Sequence, residues 1–199
     1  MGKKIIAAGH ICLDITPVFT SEKVENISDI LVPGKLIQMG QADVHTGGAV
    51  ANTGLAMKIL GADVTLMGKV GADEFGGMIQ NILHRYGADK GMILSKQEST
   101  SYSVVIAVPG IDRIFLHNPG ANNSFSCEDI DYEEAAKADL FHFGYPPLMQ
   151  RIYQEQGKEL TEMFRRMKER HVATSLDLAA IDAKSEAGRA DWKAILSRV

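Results

Sequence analysis

The stretch GGAVANTGLAMKILGADVTLMGKVG, residues 47–71, decides how this chain folds. It opens with the pair Gly47 and Gly48, continues with apolar residues at helical spacing, and reaches a helix stop at Gly61. The residues VTLMG that follow are typical of a strand. Glycines just before a helix let a ligand come close to the backbone, and the first N–H groups of a helix lack partners within it. This turn therefore suits an oxygen-rich ligand.

Segments of strand and helix character alternate outward from this stretch, which is typical of an α/β fold with a parallel sheet. The sequence predicts strands over residues 4–8, 64–68, 140–143 and 172–178. It predicts helices over residues 49–60, 73–86, 131–138, 147–170 and 190–198. Asp73 is a good N-cap for the second of these helices, and Gly87 ends it.

Two regions interrupt the alternation, and we expect them to form a small second sheet. Residues 16–46 are rich in Val and Ile, with Pro33 and Gly34 as a turn signal. Residues 99–118 contain SYSVVIAV, PGID and RIFLHN, a pattern that predicts a hairpin. The predicted fold is therefore one α/β core over residues 1–199, with a doubly wound, mostly parallel sheet. An antiparallel β lid from about residues 16–46 and 99–118 completes it.

The composition is that of an ordinary globular protein, and it argues against several classes of partner. The 199 residues include 21 basic and 25 acidic side chains, a net charge of −4, which does not favour nucleic acid or an anionic membrane surface. No apolar run approaches the roughly 18 residues that span a bilayer. Cys12 and Cys127 stand alone, which predicts two buried thiols in a reducing cytoplasm. No metal site is predicted, because no two of the six histidines have metal-ligand spacing.

The end of the chain departs from the alternating pattern. The last predicted helix reaches Val199, where the alternation asks for another strand. A parallel sheet that stopped there would leave a bare strand edge and an uncovered apolar face. We expect either that a partner covers this edge or that the chain is a fragment, truncated at its C-terminus.

The first candidate site residues cluster around the glycine turn. Asp14 ends the segment GHICLD after the first strand, where its carboxylate can accept hydrogen bonds from neighbouring hydroxyls or cap a turn. Gly47 and Gly48 leave room for a ligand, or only form a tight turn. Asn52 favours the ligand site, because an Asn inside a helix is otherwise unfavourable and its amide both donates and accepts. His10 lies near the same turn and is either a ligand contact or a structural residue.

Further candidates lie in and after the predicted hairpin. Arg113 follows the PGID turn, where it could close over a ligand or lie in solvent at the tip. Asn118 and Asn122 flank the sequence PGAN, and both pocket lining and turn chemistry fit them. Asp177 ends a buried strand, which allows either a polar site role or a capping role. Neither GxxxxGK[ST] nor GxGxxG occurs, so a P-loop ATPase and a nicotinamide enzyme are disfavoured.

Taken together, four pieces of the sequence resemble the ribokinase-like (PfkB-type) carbohydrate kinases. They are the opening strand with Asp14, the GGAVAN block with its spacing to GKVGADEFG, the hairpin that ends in DRIFLHNPGAN, and DLFHFGYPP followed by a helix and TSLDL. The resemblance covers all 199 residues, aligned to roughly the first two-thirds of such a kinase. It implies that Asp14, Gly47, Gly48 and Asn52 contact a sugar, with Arg113 and Asn122 also at the site.

The sequence also departs from the family pattern. Val50 stands where Pro or Gly is frequent, and Gly54 stands where a Ser, Thr or Ala is usual. After Asp177 the sequence LAAI replaces the Asn and Arg of many relatives, which puts an acid-binding role there in doubt. The Gly-Ala-Gly-Asp turn that supplies the family's catalytic Asp and anion hole does not occur, nor does its Asn-x-x-Glu element. No catalytic residue is therefore assigned within the chain, and the resemblance places those groups beyond Val199.

The resemblance implies a sugar kinase that transfers the γ-phosphate of ATP to a carbohydrate or nucleoside hydroxyl, with Mg²⁺. This chain would carry the sugar-binding part and lack the catalytic Asp and the ATP-binding part, so the isolated chain is expected to be inactive. The alternative is a non-catalytic sugar-binding module or one subunit of a split kinase. Expected partners are a small-molecule sugar and a second copy of the chain through the β lid, without nucleic acid or membrane.

Overall fold

The computed structural model describes residues 2–20 and 23–199, in which the strands form two sheets. The strands are β1 (Lys4–Gly9), β2 (Cys12–Thr16), β3 (Asp43–Gly47), β4 (Asp63–Gly71), β5 (Met92–Ser95), β6 (Tyr102–Ile106), β7 (Ile114–Asn118), β8 (Leu140–Gly144) and β9 (Ala173–Asp177). The main sheet has the order β5-β4-β1-β8-β9, and all four of its pairings are parallel. The predicted α/β fold with a parallel sheet is confirmed.

The helices follow the predicted order with shifted bounds. They are α1 (Ala56–Ile59), α2 (Glu74–His84), α3 (Tyr132–Ala135), α4 (Gln150–Glu169) and α5 (Trp192–Leu196). The helix predicted over residues 49–60 is π-helical over Val50–Leu55 before it becomes α1. The helix predicted over residues 147–170 starts only at Gln150, because Pro146–Leu148 forms a separate 3₁₀ turn. It is also not one continuous helix, because the backbone leaves the helical conformation over residues 154–157 and forms a kink there. None of the helices in the described ranges combines the length and the apolar character that crossing a membrane requires.

Apolar residues cover the main sheet on both faces, as a doubly wound sheet requires. On one face Phe141 and Phe143 of β8 pack in a cluster with Phe164 of α4. On the other face Ala7 and Leu66 belong to a second cluster together with residues of the π-helical segment and α2. Successive side chains of a strand point to opposite faces, so one parallel sheet supports both clusters. The carboxyl ends of the strands remain free to meet a ligand.

The small sheet has the order β3-β2-β6-β7 and is mixed, which corrects the prediction of an antiparallel lid. β2 pairs antiparallel with β3, and β6 pairs antiparallel with β7, so the hairpin predicted over residues 99–118 is confirmed. β2 and β6, however, run parallel. The reason is that β2 follows β1 and β6 follows β5, and both β1 and β5 belong to the parallel main sheet. Both lid strands thus leave the same end of that sheet.

Most of the strand content predicted for residues 16–46 is not observed. β3 lies at the end of this region, and Phe19 forms an isolated bridge with Met39. Between them the backbone contains a 3₁₀ turn at Ile27–Asp29. The part of the prediction that concerns residues 21 and 22 lies outside the described residues, as does residue 1 of the predicted core. β9 pairs with β8 alone within the described ranges, so it is an edge strand of the main sheet.

The start of α2 connects the main sheet to the lid. Asp73 is its N-cap, as predicted, and the Oδ1 atom accepts a hydrogen bond from the Gly76 N–H at 2.8 Å. The other carboxylate oxygen accepts from the N–H of Thr100 at 2.7 Å, just before β6. The Gly71 N–H at the end of β4 donates to Oγ1 of Thr100 at 2.9 Å. One capping residue therefore fixes both the helix and the entry to the lid.

The first prediction compares two neighbouring glycines of α2. A Cβ on Gly76 would lie 2.0 Å from the carbonyl oxygen of Gly71, whereas a Cβ on Gly77 would meet nothing within 4 Å. We expect Gly76→Ala to lower the free energy of unfolding by about 1–3 kcal/mol through overpacking. Gly77→Ala should raise it by about 0.5–1 kcal/mol, since Ala is the better helix former. Urea denaturation measures the free energy of unfolding of both variants. If the two substitutions change it in the same direction, the close contact between Gly76 and Gly71 is contradicted.

Candidate functional site

A cavity of about 650 Å³ lies between the small sheet and the carboxyl ends of the main-sheet strands. Four of the six residues predicted for the site line it, namely Asp14, Gly48, Asn52 and Arg113. The other lining residues are His10, Cys12, His45, Ser103, Phe115, His117, Tyr145, Leu148, Ala179 and Ala180. Ligands of open α/β sheets bind at this end of the strands, so the cavity is the candidate site.

A row of polar side chains crosses all four strands of the small sheet. In the register of the strands His45 stands beside Asp14, Asp14 beside Ser103, and Ser103 beside His117. Residues in one row of a sheet share a face, and all four line the cavity. The sequence analysis did not single out Ser103 or His117. His117 follows three apolar residues in IFLHN, and Ser103 precedes two in SYSVV, so no local pattern marked either of them as a site residue.

The glycine turn brings Asp14 into position. β3 pairs with β2, so Gly47 lies against the Asp14 carboxylate, and a Cβ on Gly47 would be 2.0 Å from its Oδ2 atom. Gly48 has a φ of +83°, and a Cβ there would lie 2.5 Å from the carbonyl oxygen of His10. Gly48 therefore requires glycine, whereas a Cβ on Gly47 would displace the Asp14 carboxylate from its position. Gly47 does not line the cavity itself and instead leaves room for the carboxylate that does.

Asn52 and Arg113 both line the cavity. Asn52 belongs to the π-helical segment, and its side chain is exposed to the cavity. Arg113 precedes β7, and its guanidinium lies 5.5 Å from the centre of the Phe115 ring, within the range of a cation–π contact. An amide and a guanidinium thus face a space whose lining also includes the carboxylate of Asp14. The amide of Asn52 and the guanidinium of Arg113 are both donors that bind hydroxyl oxygens readily.

Asn122 is not among the residues that line the cavity. Its side chain is fully buried, and its amide nitrogen donates to the carbonyl oxygen of Ile11 at 2.9 Å. Its amide oxygen accepts from the N–H of Ile11 at 3.2 Å. The amide therefore holds the β1–β2 connection and does not line the cavity. A sugar contact by Asn122 stays a prediction.

Asn118 and Asp177 make local hydrogen bonds. For both residues the sequence allowed such bonds as the alternative to a ligand role. The side-chain oxygen of Asn118 accepts from the N–H of Gly120 at 3.3 Å, which is turn chemistry. Oδ1 of Asp177 accepts from the N–H of Ala179 at 3.3 Å. Neither Asn118 nor Asp177 lines the cavity.

Two left-handed residues lie in the cavity wall. Tyr145 follows β8 with a φ of 62°, and Ala179 follows β9 with a φ of 57°. Residues with side chains adopt this conformation at a cost of roughly 1–3 kcal/mol each. Such strain concentrates at binding sites, because the surrounding contacts hold the backbone there. Both turns direct the chain into the wall of the same cavity.

Two histidines connect the lid to the core of the protein. Nε2 of His10, which follows β1, lies 3.4 Å from Nε2 of His117 on β7. Burial, together with the neighbouring imidazole of His117, lowers the pKa of His10 to about 3. Burial also lowers the pKa of His117. Both rings are therefore neutral near pH 7, and each carries one N–H.

The cavity also contains a thiol beside its carboxylate. The Sγ atom of Cys12 donates to Oδ1 of Asp14 at 3.3 Å. Burial and the negative charge of Asp14 raise the pKa of this thiol, so it stays protonated and remains a donor. Within residues 2–20 and 23–199 no group of three or more His, Cys, Asp and Glu side chains is placed to hold a metal ion.

Known proteins resemble this chain in sequence and in fold. A family model described as pfkB family carbohydrate kinase matches residues 4–188. The chain is 33% identical over 101 residues to fructokinase-1 of Zea mays, a match to 49% of this chain and 31% of that protein. It is 29% identical over 143 residues to probable fructokinase-3 of Arabidopsis thaliana, a match to 70% of this chain and 38% of that protein. The resemblance inferred from the sequence is confirmed.

Solved structures share the fold. The crystal structure of a fructokinase with bound ATP from Xylella fastidiosa matches with a TM-score of 0.73 and 21% identity, over 100% of this chain and 56% of that one. The structure of ribokinase from Giardia lamblia matches with a TM-score of 0.76 and 16% identity, over 98% of this chain and 59% of that one. The chain thus spans little more than half of these structures and a smaller share of the curated plant relatives.

The second prediction concerns stability against pH. In the unfolded chain His10 has its ordinary pKa of 6.5, whereas in the folded protein the value is about 3. Between these values the unfolded state binds a proton that the folded state excludes. The contribution of His10 to the free energy of unfolding is therefore fully present above pH 6.5. It decreases as the pH falls below that value, by up to about 1.4 kcal/mol per pH unit.

Urea denaturation between pH 7 and pH 4.5 measures this effect. We expect His10→Asn to make the fall in the free energy of unfolding shallower than in the unmodified chain. His171→Asn is the control, because that side chain is exposed and Asn tolerates its left-handed backbone. Equal slopes for His10→Asn and the unmodified chain would contradict a buried, neutral His10.

Proposed function

The chain belongs to the pfkB family of carbohydrate kinases, and from that premise we propose that it forms the sugar-binding part of an ATP-dependent sugar kinase. The observation that carries this proposal is the cavity between the two sheets. Asp14, Asn52 and Arg113, which come from three separate parts of the sequence, line it together with Gly48. A ring of acceptors and donors around an open space is what a polyhydroxyl ligand requires.

Each of these residues has a distinct role in the proposal. The carboxylate of Asp14 accepts hydrogen bonds from two neighbouring sugar hydroxyls, since an ionised carboxylate only accepts. Gly48 lets the sugar approach the backbone, and the amide of Asn52 donates to one hydroxyl oxygen and accepts from another. Arg113 and Phe115 cover the opening from the lid and exclude water. Fructose is the first candidate sugar, because the curated relatives bear the name fructokinase.

We further propose that residues outside this chain complete the phosphoryl transfer. In this reaction class ATP, with Mg²⁺, supplies the phosphoryl group that the sugar hydroxyl accepts. The cavity wall at β8 and β9 consists of Tyr145, Leu148, Ala179 and Ala180, which offer no charge to a triphosphate. The sequence also contains no Gly-Ala-Gly-Asp turn. The residues present therefore fit the sugar and not the nucleotide.

Two forms of the proposal share the same sugar site. The chain is either the sugar half of a kinase or a subunit that pairs with a separate nucleotide-binding one. The observation that favours a paired subunit is the position of β9, which has one neighbour within the described ranges.

Pairing of two copies of the chain through the lid stays a further prediction. The exposed side chains of Ile114 and Leu116 on β7 support it, because they form an apolar patch opposite the cavity face.

The third prediction tests sugar binding. A thermal-shift scan of the purified chain against fructose, ribose and a nucleoside should show stabilisation by one of these classes. Asp14→Asn should weaken binding of that sugar at least about ten-fold, because a hydrogen bond to a charged group contributes about 1.5–3 kcal/mol. Asp63→Asn, at the exposed start of β4, is the matched control and should bind the sugar normally.

Two results would count against the proposal. If no sugar raises the melting temperature, or if Asp14→Asn and Asp63→Asn bind the sugar equally, the cavity is not the sugar site. If the purified chain alone forms a sugar phosphate from MgATP, the phosphoryl-transfer groups lie within it, and the proposed division of the site is wrong.

A further inference from the structure

A continuous series of polar contacts leads from the candidate sugar-binding carboxylate to the core of the protein. Oδ1 of Asp14 lies 3.3 Å from Sγ of Cys12, and this sulfur lies 4.0 Å from Oγ of Ser103. That hydroxyl lies 3.0 Å from Nδ1 of His117, and Nε2 of His117 lies 3.4 Å from Nε2 of His10. All five residues line the cavity, and the series begins on the lid and ends after β1.

The chemistry of the groups sets the direction of the first hydrogen bond in this series and leaves two arrangements for the rest. A carboxylate only accepts, so the Cys12 thiol donates to Asp14. The Ser103 hydroxyl has one hydrogen, which it donates either to the sulfur or to Nδ1 of His117. In the first arrangement His117 carries its proton on Nδ1, its Nε2 accepts from the Nε2–H of His10, and Nδ1 of His10 carries no proton. In the second arrangement the proton of His10 is on Nδ1.

The surroundings of His10 decide between these two arrangements. Its Nδ1 atom is buried and has no hydrogen-bond partner. A Cβ on Gly48 would lie 2.6 Å from it, so the glycine hydrogen in that direction points at the nitrogen. An N–H at this position would collide with that hydrogen, whereas a lone pair does not. The glycine turn therefore favours the proton of His10 on Nε2, and this proton sets the direction of the other bonds in the series.

We propose that Cys12, Ser103, His117 and His10 form a positioning network that fixes the orientation of the Asp14 carboxylate. The network holds Oδ1 through the thiol and leaves Oδ2 beside Gly47 free to accept from a ligand. It also connects the lid to the core, because His117 lies on β7 and His10 follows β1. A displacement of the lid separates the two imidazoles, whereas the contacts from His117 to Asp14 lie within the small sheet and move with it. The role toward a sugar rests on the proposed function.

Three of the four network residues are closed off from solvent, since Cys12 and Ser103 are buried and His10 is 2% exposed. His117 is exposed on β7 and belongs to the network through its contacts with Ser103 and His10. The effect of the network on a ligand passes through the Asp14 carboxylate, which makes its members positioning residues. Because burial and the nearby carboxylate keep the thiol protonated, Cys12 holds this position as a donor and not as a nucleophile.

The first test needs no sugar. Long-range ¹H–¹⁵N NMR of the imidazole rings at pH 7 reports which nitrogen of each neutral histidine carries the proton. We expect the proton on Nε2 of His10 and on Nδ1 of His117, and a changed ¹⁵N shift of Nδ1 of His117 in Ser103→Ala, which removes the acceptor of that N–H. A proton on Nδ1 of His10 or on Nε2 of His117, or an Nδ1 shift of His117 that is unchanged in Ser103→Ala, would overturn the network.

The second test measures binding of the sugar identified by the thermal-shift scan, by calorimetry. Cys12→Ala should weaken binding about ten-fold, since it removes the donor that orients the charged Asp14. Cys12→Ser keeps a donor and should restore most of the affinity. Cys127→Ala is the matched control, because it removes the other buried cysteine, which lies outside the cavity. Equal affinities for Cys12→Ala and Cys127→Ala would overturn the positioning role.

The two tests separate the network from the proposed function. If no sugar binds the unmodified chain, the proposed function is wrong, and the histidine tautomers alone then support or overturn the network. If sugar binds while the tautomers differ from those expected, the proposed function stands and the network is wrong. Thermal melts of each variant confirm that a change in binding comes from a folded protein.

Discussion

The close packing of the glycine turn against His10 and Asp14 is the contact on which the rest of the site depends. Gly48 lies against the ring and carbonyl of His10 with no space for a Cβ, and Gly47 lies under the Asp14 carboxylate, which a Cβ there would displace. This contact joins β3 to β2 and starts the π-helical segment that carries Asn52. The lid, the main sheet and the helix therefore meet at two residues without side chains.

The parallel main sheet explains why a cavity forms beside this turn. Both of its faces are buried under apolar clusters, so the carboxyl ends of its strands are the places where polar groups can gather. β2 leaves one of these ends and β6 leaves another, and they pair to form the centre of the lid. The row of polar side chains across the lid consequently faces the strand ends of the core. The site results from the connectivity of the sheets more than from any single motif.

Local patterns predicted the elements but not how distant strands pair. The periodicity of residues 4–8 and 49–60 was sufficient to find β1 and the helix after the glycine turn. β5 was missed because it has only four residues, and β2 because CLDIT mixes polar and apolar positions. The parallel pairing of β2 with β6 joins residues about 90 apart, and no local signal encodes it. The same distance hid Ser103 and His117, which become site residues only through the register of the lid. Asn122 shows the converse, since its buried bonds to Ile11 depend on a contact 111 residues away.

A crystal structure of the chain grown with saturating fructose tests the central claim most directly. The account predicts electron density for the sugar between the lid and the strand ends. Two of its hydroxyls should lie within hydrogen-bond distance of the Asp14 carboxylate, and a third should lie beside Asn52. A sugar bound elsewhere on the molecule, or bound in this cavity without contact to Asp14, would contradict the account.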